Sequence, residues 1–231
     1  MTNISSSPVI RVFTQEDWAL HSAEAVHMQV EAITKQHARC SVFLTGGRSA
    51  RSVYNAWRGL PSFKTLSGVD FFYGDERCSP YPTDEKNHLL AMETLFQDGV
   101  PPTCSVHPAD YLATDIDQAA RTYEEEFPAS LDVLLLSVGE DGHIASIFSQ
   151  SPLLFEMNRL CLPVTNSPKP PSHRVSLTAA AIKRFKSIFL FAQGSAKAAV
   201  LRASLANDPG CVPHAPVSLV SHGTWLLDTP L

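Results

Sequence analysis

The run Val133-Leu134-Leu135-Leu136 is apolar at four consecutive positions. Successive residues of a strand point to opposite faces, so such a strand is buried on both sides and its partners are joined through crossover helices over a parallel sheet. Similar short runs rich in Val, Ile, Leu and Phe fall at 9–13, 40–45, 69–73, 132–138, 160–164, 187–192 and 224–228, alternating with longer stretches of helical character. The pattern predicts an α/β fold: an open, mostly parallel Rossmann-like sheet with helices on both faces. The chain has 231 residues, a length that suits one such domain spanning 1–231. Helix starts are predicted at Thr14 with Asp17, at Ser49, at Thr114 with Asp115, and at Ser195 ahead of 196–205.

In open parallel sheets ligands bind outside the carboxyl ends of the strands. Here those ends read Thr45-Gly46-Gly47-Arg48-Ser49, Gly74-Asp75-Glu76-Arg77, Gly139-Glu140-Asp141-Gly142-His143 and Gln193-Gly194-Ser195-Ala196-Lys197. Four polar loops therefore share one rim. A further stretch, Ser167-Pro168-Lys169-Pro170-Pro171, is stiffened by its prolines. It either brings Lys169 and Arg174 beside a pocket or is a surface connection.

Composition narrows the function. Eighteen Lys+Arg against 23 Asp+Glu give a formal net charge of −5, without the basic footprint that nucleic acids or anionic membranes select. Cys40, Cys78, Cys104, Cys161 and Cys211 form no C-x-x-C pair and are odd in number, which argues against a disulfide framework or a zinc ribbon. Residues 1–7 lack the charged and apolar regions of a secretory signal, and the longest apolar runs are far shorter than the ~18 residues of a membrane span. The expectation is a cytoplasmic protein acting on a small molecule.

The turn Gly46-Gly47-Arg48-Ser49 follows a strand and opens a helix, so its N–H groups and the helix dipole can hold a phosphate. A tight turn that needs glycine accounts for the same residues. Lys197 falls in the first turn of a helix, where a cation opposes the dipole unless an anion lies above it. His143 suits proton abstraction from water near neutral pH, and Asp141, two residues away, can fix its tautomer. A capping Asp and a structural His are the alternative. Arg77 can fork onto a sugar or phosphate oxygen or a developing oxyanion, or pair internally with Asp75 or Glu76. There is no G-x-S-x-G, no H-E-x-x-H and no metal-spaced histidine cluster, so neither a serine nucleophile nor a metal is expected.

Taken in order, these segments resemble the 6-phosphogluconolactonases, which share a sugar-phosphate isomerase-like fold with the glucosamine-6-phosphate deaminases. The landmarks are Gly46-Gly47, Asp75-Glu76-Arg77 with Asn87, Gly139-x-Asp141-Gly142-His143-x-Ala145-Ser146-x-Phe148, Ser167-Pro168-Lys169-Pro170-Pro171 with Arg174, Gly194-x-x-Lys197, and Thr224-Trp225-x-Leu227-Asp228. The resemblance implies hydrolysis of a small sugar-phosphate lactone, 6-phospho-D-glucono-1,5-lactone, in the oxidative pentose phosphate pathway, without metal or cofactor. It implies His143 as general base, Asp141 as its orienting group and Arg77 near the lactone. Gly46, Gly47, Arg48, Ser49, Asp75, Lys169, Arg174 and Lys197 are the candidates for holding substrate or its phosphate. A monomer or weak homodimer is expected. The turn departs from the family's common Gly-Gly-Ser-Thr-Pro by reading Gly-Gly-Arg-Ser-Ala, and Ser149 stands where a proline often follows the Phe.

Two rivals remain. A deaminase on this fold continues its His loop into Asn-Glu-Pro, whereas Ile144-Ala145-Ser146-Ile147-Phe148-Ser149 has no carboxylate. A non-catalytic sugar-phosphate sensor would carry a basic DNA-binding helix pair, and none precedes the first predicted strand.

Overall fold

The computed structural model describes residues 7–79, 86–110, 112–206 and 215–231. Cys211 and the first six residues lie outside them. Seven strands, β1 (Val9–Val12), β2 (Cys40–Leu44), β3 (Ser67–Tyr73), β5 (Thr103–Val106), β6 (Val133–Ser137), β9 (Ser187–Ala192) and β10 (Thr224–Leu227), form one all-parallel sheet in the order β1-β10-β9-β6-β2-β3-β5. Three more, β4 (Asp75–Arg77), β7 (Cys161–Val164) and β8 (Arg174–Leu177), form a small antiparallel sheet in the order β4-β8-β7. The run at 160–164 is thus a strand, but outside the parallel sheet. Strands β4, β5 and β8 have no counterpart among the sequence expectations.

The central strands β2, β6 and β9 are mostly apolar because each serves two cores. Val42, Leu44, Val133, Leu135, Phe189 and Phe191 face one side, against Trp18, Val26, Val53 and Trp57. Those partners belong to α1 (Trp18–His37) and α2 (Arg48–Gly59). Phe43, Leu134, Leu136, Ile188 and Leu190 face the other, against Ala119, Ala120 and Tyr123 of α4 (Ile116–Glu125) and residues of the small sheet. Among the described residues the other α-helices are α3 (Asn87–Thr94), α5 (Ala179–Ile182) and α6 (Ser195–Leu205).

Asp115 caps α4 as expected, its carboxylate accepting from the Gln118 N–H at 3.0 Å. Asp17 sits at the N-cap of α1 without a capping bond of its own, and Thr14 donates to its carboxylate instead at 2.7 Å. The predicted serine caps are displaced by two residues at α2 and one at α6. Gly47 and Gly194 occupy the N-caps, each with φ +94°, a conformation open to glycine and strained for a side chain. Among the described residues no helix is long and apolar enough to cross a membrane.

Candidate active site

After β2 the chain moves out through β3 and β5, then returns to place β6 on the other side of β2 and proceeds through β9 and β10. Strand order therefore reverses between β2 and β6, the position at which an open sheet leaves a crevice. Backbone pairing joins these strands at Val42–Val133 and Phe43–Leu134, and nearer the carboxyl end the Ser137 N–H donates to the Thr45 hydroxyl at 3.3 Å. A cleft of about 350 Å³ opens there. Gly46, Gly47, Arg48, Asp75, Arg77, His143, Lys169, Arg174 and Lys197 all line it.

One end of the cleft is built by the loop after β6. The Gly142 N–H donates to the Gly139 carbonyl at 3.0 Å, and the Gly139 N–H to that of His143 at 2.9 Å, closing a tight turn with Gly142 at φ +80°. This fold-back puts His143 Nδ1 2.5 Å from Asp141 Oδ1. The imidazole packs on Phe148 with ring centroids 4.7 Å apart. Its side chain is 18% exposed, and burial lowers its pKa below the usual histidine value against the opposing bond and charge of Asp141. With Nδ1–H donated to Asp141, Nε2 carries the lone pair. For Asp141 itself burial opposes ionisation, but the bonds and charges of His143 and Lys169 outweigh it and bring the carboxyl down to about 2.

The small sheet makes a second wall. Glu76 is fully buried and accepts from the N–H groups of Arg77, Asn87 and His88 at 2.7, 2.8 and 2.7 Å, so its carboxylate sits at the N-terminus of α3. Burial nonetheless pushes it up to about 7. Asn87 donates through Nδ2 to the Asp75 carbonyl at 2.8 Å and its carboxylate at 3.0 Å, while Ser146 Oγ donates to the other carboxylate oxygen at 2.7 Å. Arg174, 3% exposed, spends its donors on the chain beside it. Nε donates to the Pro171 carbonyl at 3.1 Å, and Nη2 to those of Lys169 and Pro170 at 2.9 and 3.0 Å. Nη1 lies 3.3 Å from Ser146 Oγ and 3.9 Å from Asp75 Oδ2.

The third part is cationic. Lys197 Nζ reaches from the first turn of α6 across to the first turn of α2 and donates to Ser49 Oγ at 2.9 Å. Burial first, and the charge of Arg48 second, lower its pKa. Thr45 is held by Tyr54, whose hydroxyl accepts from the Thr45 N–H and donates to its carbonyl, both at 2.8 Å. The N-terminus of α2 thus faces the cleft with Arg48 and Lys197 beside it. The N-terminus of α6 does not: Gly194 N–H donates to Asp228 at 2.7 Å, and neither Gly194 nor Ser195 lines the cleft.

The residues nominated from the sequence converge, but they do different things. His143 and Asp141 form a pair, Arg77 and Gly46–Arg48 of the turn line the cleft, Ser49 is buried behind it and accepts from Lys197, and Arg174 and Asp75 are tied into the walls. Asn87 and Ser146, which fix Asp75, appeared in the sequence only as landmarks of the resemblance. Glu76 was visible as a landmark of the resemblance and as a partner for Arg77, not as the acceptor at the start of α3.

An imidazole–carboxylate pair shares a cleft with a cationic helix N-terminus at the reversal point of a parallel sheet, an arrangement able to hold an anion beside a proton acceptor on an α/β fold of the isomerase-like class. Residues 14–227 match the profile of the glucosamine-6-phosphate isomerases/6-phosphogluconolactonase family, and the chain belongs to that family. It is 32% identical over 238 residues to the 6-phosphogluconolactonase of Mycobacterium tuberculosis, covering 96% of each chain. Against that of Streptomyces coelicolor it is 31% identical, covering 98% of this chain and 94% of the relative. Among solved structures, the 6-phosphogluconolactonase of Trypanosoma brucei superposes with a TM-score of 0.79 at 26% identity and covers 96% of each chain. That of Thermotoga maritima gives 0.79 at 25%, covering 95% of this chain and 99% of the other.

Proposed function

We propose that the protein hydrolyses 6-phospho-D-glucono-1,5-lactone to 6-phospho-D-gluconate with water activated by His143 and no metal. The observation that carries this reading is the His143–Asp141 pair in one cleft with the cationic turn of α2. Family membership and the lactonase names of its full-length relatives support the substrate.

The phosphate rests on the N–H groups opening α2, with Arg48 and Lys197 supplying charge. Asp141 holds Nδ1–H, so Nε2 takes a proton from water as its oxygen adds to C1 of the lactone. Arg77 or a backbone N–H meets the developing oxyanion. The ring oxygen then leaves as an alcohol, taking the proton back from the imidazolium. General base catalysis contributes a factor of about 10²–10⁴ and an oxyanion donor about 10²–10³. For an activated ester, held in position, these suffice without a covalent intermediate.

The test is lactone hydrolysis, corrected for the spontaneous rate, with a chelator present throughout. Wild type is expected to turn over, and His143→Ala to lose about 10²-fold or more in kcat. Because His143 is shifted down, kcat/KM of the wild type should fall through a limb centred below pH 6.5, where protonation removes the Nε2 lone pair. Near-normal turnover by His143→Ala, or a flat acidic limb, removes the base assignment. Loss of activity in chelator removes the metal-free one.

A further inference from the structure

Lys169 lies on the proline loop and lines the cleft, and its ammonium is engaged by the loop after β6. Nζ sits 3.2 Å from Asp141 Oδ2 and 3.4 Å from His143 Nδ1. Asp141 is thereby held at both oxygens, Oδ1 by the imidazole and Oδ2 by the lysine. The loop that carries Lys169 is fastened from beneath. Arg174 donates to the carbonyls of Lys169, Pro170 and Pro171, and Ser167 Oγ donates to the Lys169 carbonyl at 2.8 Å while accepting from its N–H at 3.2 Å. A buried guanidinium committed to three successive carbonyls fixes where the neighbouring side chain starts.

We infer that Lys169 is a positioning residue for the Asp141–His143 pair and not a ligand of the substrate phosphate. The inference rests on the reading of His143 as the base. On this account the proline loop delivers one cation to the outer oxygen of Asp141, so that the carboxylate cannot rotate away from Nδ1.

The charged groups around the imidazole act in opposite senses. Asp141 on its own loop and Asp75 on β4 favour the imidazolium, whereas Lys169 opposes it. Arg174 of β8 stands 5.9 Å from the Phe148 ring on which the imidazole packs. Arg48, Arg77, Glu140 and Lys197 line the same cleft. Removing Lys169 alone therefore makes His143 easier to protonate. With Lys169 and Asp141 both nearly half exposed, solvent screening keeps the effect modest.

The test compares Lys169→Met and Lys169→Arg with wild type, reading kcat and KM for the lactone and titrating the His143 imidazole by NMR. The resonance is assigned by its absence in His143→Asn. Lys169→Met is expected to lower kcat about two- to fivefold with KM little changed. It should raise the imidazole midpoint by about half a pH unit. Lys169→Arg, which keeps the charge, should restore both. A rise in KM with kcat and the midpoint unmoved would make Lys169 a substrate ligand and overturn the inference. The midpoint is read without turnover, so it stands apart from the base assignment, which is tested separately by the activity of the His143 variants and the acidic limb.

Discussion

A Cβ built on Gly139 would lie 2.1 Å from His143 Nδ1 and 2.5 Å from Asp141 Oδ1, closer than any real contact. The glycine is therefore what allows the imidazole to fold back over its own loop. Gly139→Ala should displace the ring from Asp141 and lower kcat by about 10²-fold, the scale of a misplacement near 1 Å, with KM less affected. Steady-state kinetics decide this, and an alanine variant with wild-type kcat would show that the pair tolerates a different loop. Gly46 has a similar relation to Asn87, whose Oδ1 would stand 1.8 Å from an added Cβ. At this scale the His143–Asp141 pair was legible because its members are two residues apart in one glycine-bounded loop. The roles of Arg174 and Lys169 were not, since a charge in a proline-rich stretch gives no sign of whether it meets a substrate, a carbonyl or a carboxylate. Asn87 and Ser146 act on Asp75 from 12 and 71 residues away, and no local pattern encodes that meeting.

Helix α2 begins at the cleft because Gly47, at φ +94° and ψ 174°, turns the chain from β2 straight into its first turn. Nothing lies within 4 Å of a Cβ built there, so a side chain would meet only backbone strain. Gly47→Ala is expected to lower stability by about 1–3 kcal/mol in denaturant titration and, by shifting the N–H groups of the turn, to raise KM. Unchanged KM in a destabilised variant would detach the turn from phosphate binding. Strands β2, β6 and β9 were legible as elements because burial on both faces leaves an unbroken apolar run. Strand β4 was hidden because Asp75, Glu76 and Arg77 look like a loop. Its pairing comes from β8, far along the chain, across Asp75–Ser176 and Arg77–Arg174. The serine caps failed for a related reason. Ser49 is buried in the first turn, two residues past the cap, and its hydroxyl accepts from Lys197 and does not cap the helix.

The cleft divides the whole molecule along the reversal of the sheet, with β2, β3 and α2 on one side and β6, β9 and α6 on the other. Each side contributes what the other lacks: the helix N-terminus with Arg48 comes from the first, and the His143–Asp141 pair and Lys197 from the second. A phosphorylated ligand spanning the cleft therefore joins both halves and stabilises the native state alone. The reaction product, 6-phosphogluconate, at about 100 times its Kd should add about 2.7 kcal/mol to the unfolding free energy and raise Tm by about 5–10 °C. A charge-assisted bond contributes about 1.5–3 kcal/mol, so Lys197→Ala should bind the product about ten- to a hundredfold more weakly. At the same ligand concentration its gain shrinks to about 0.4–1.4 kcal/mol. His143→Ala, which leaves the phosphate contacts in place, should keep most of the shift. Thermal unfolding of the three proteins with and without product separates the two ends of the cleft. Equal shifts for wild type and Lys197→Ala would place the phosphate elsewhere on the molecule.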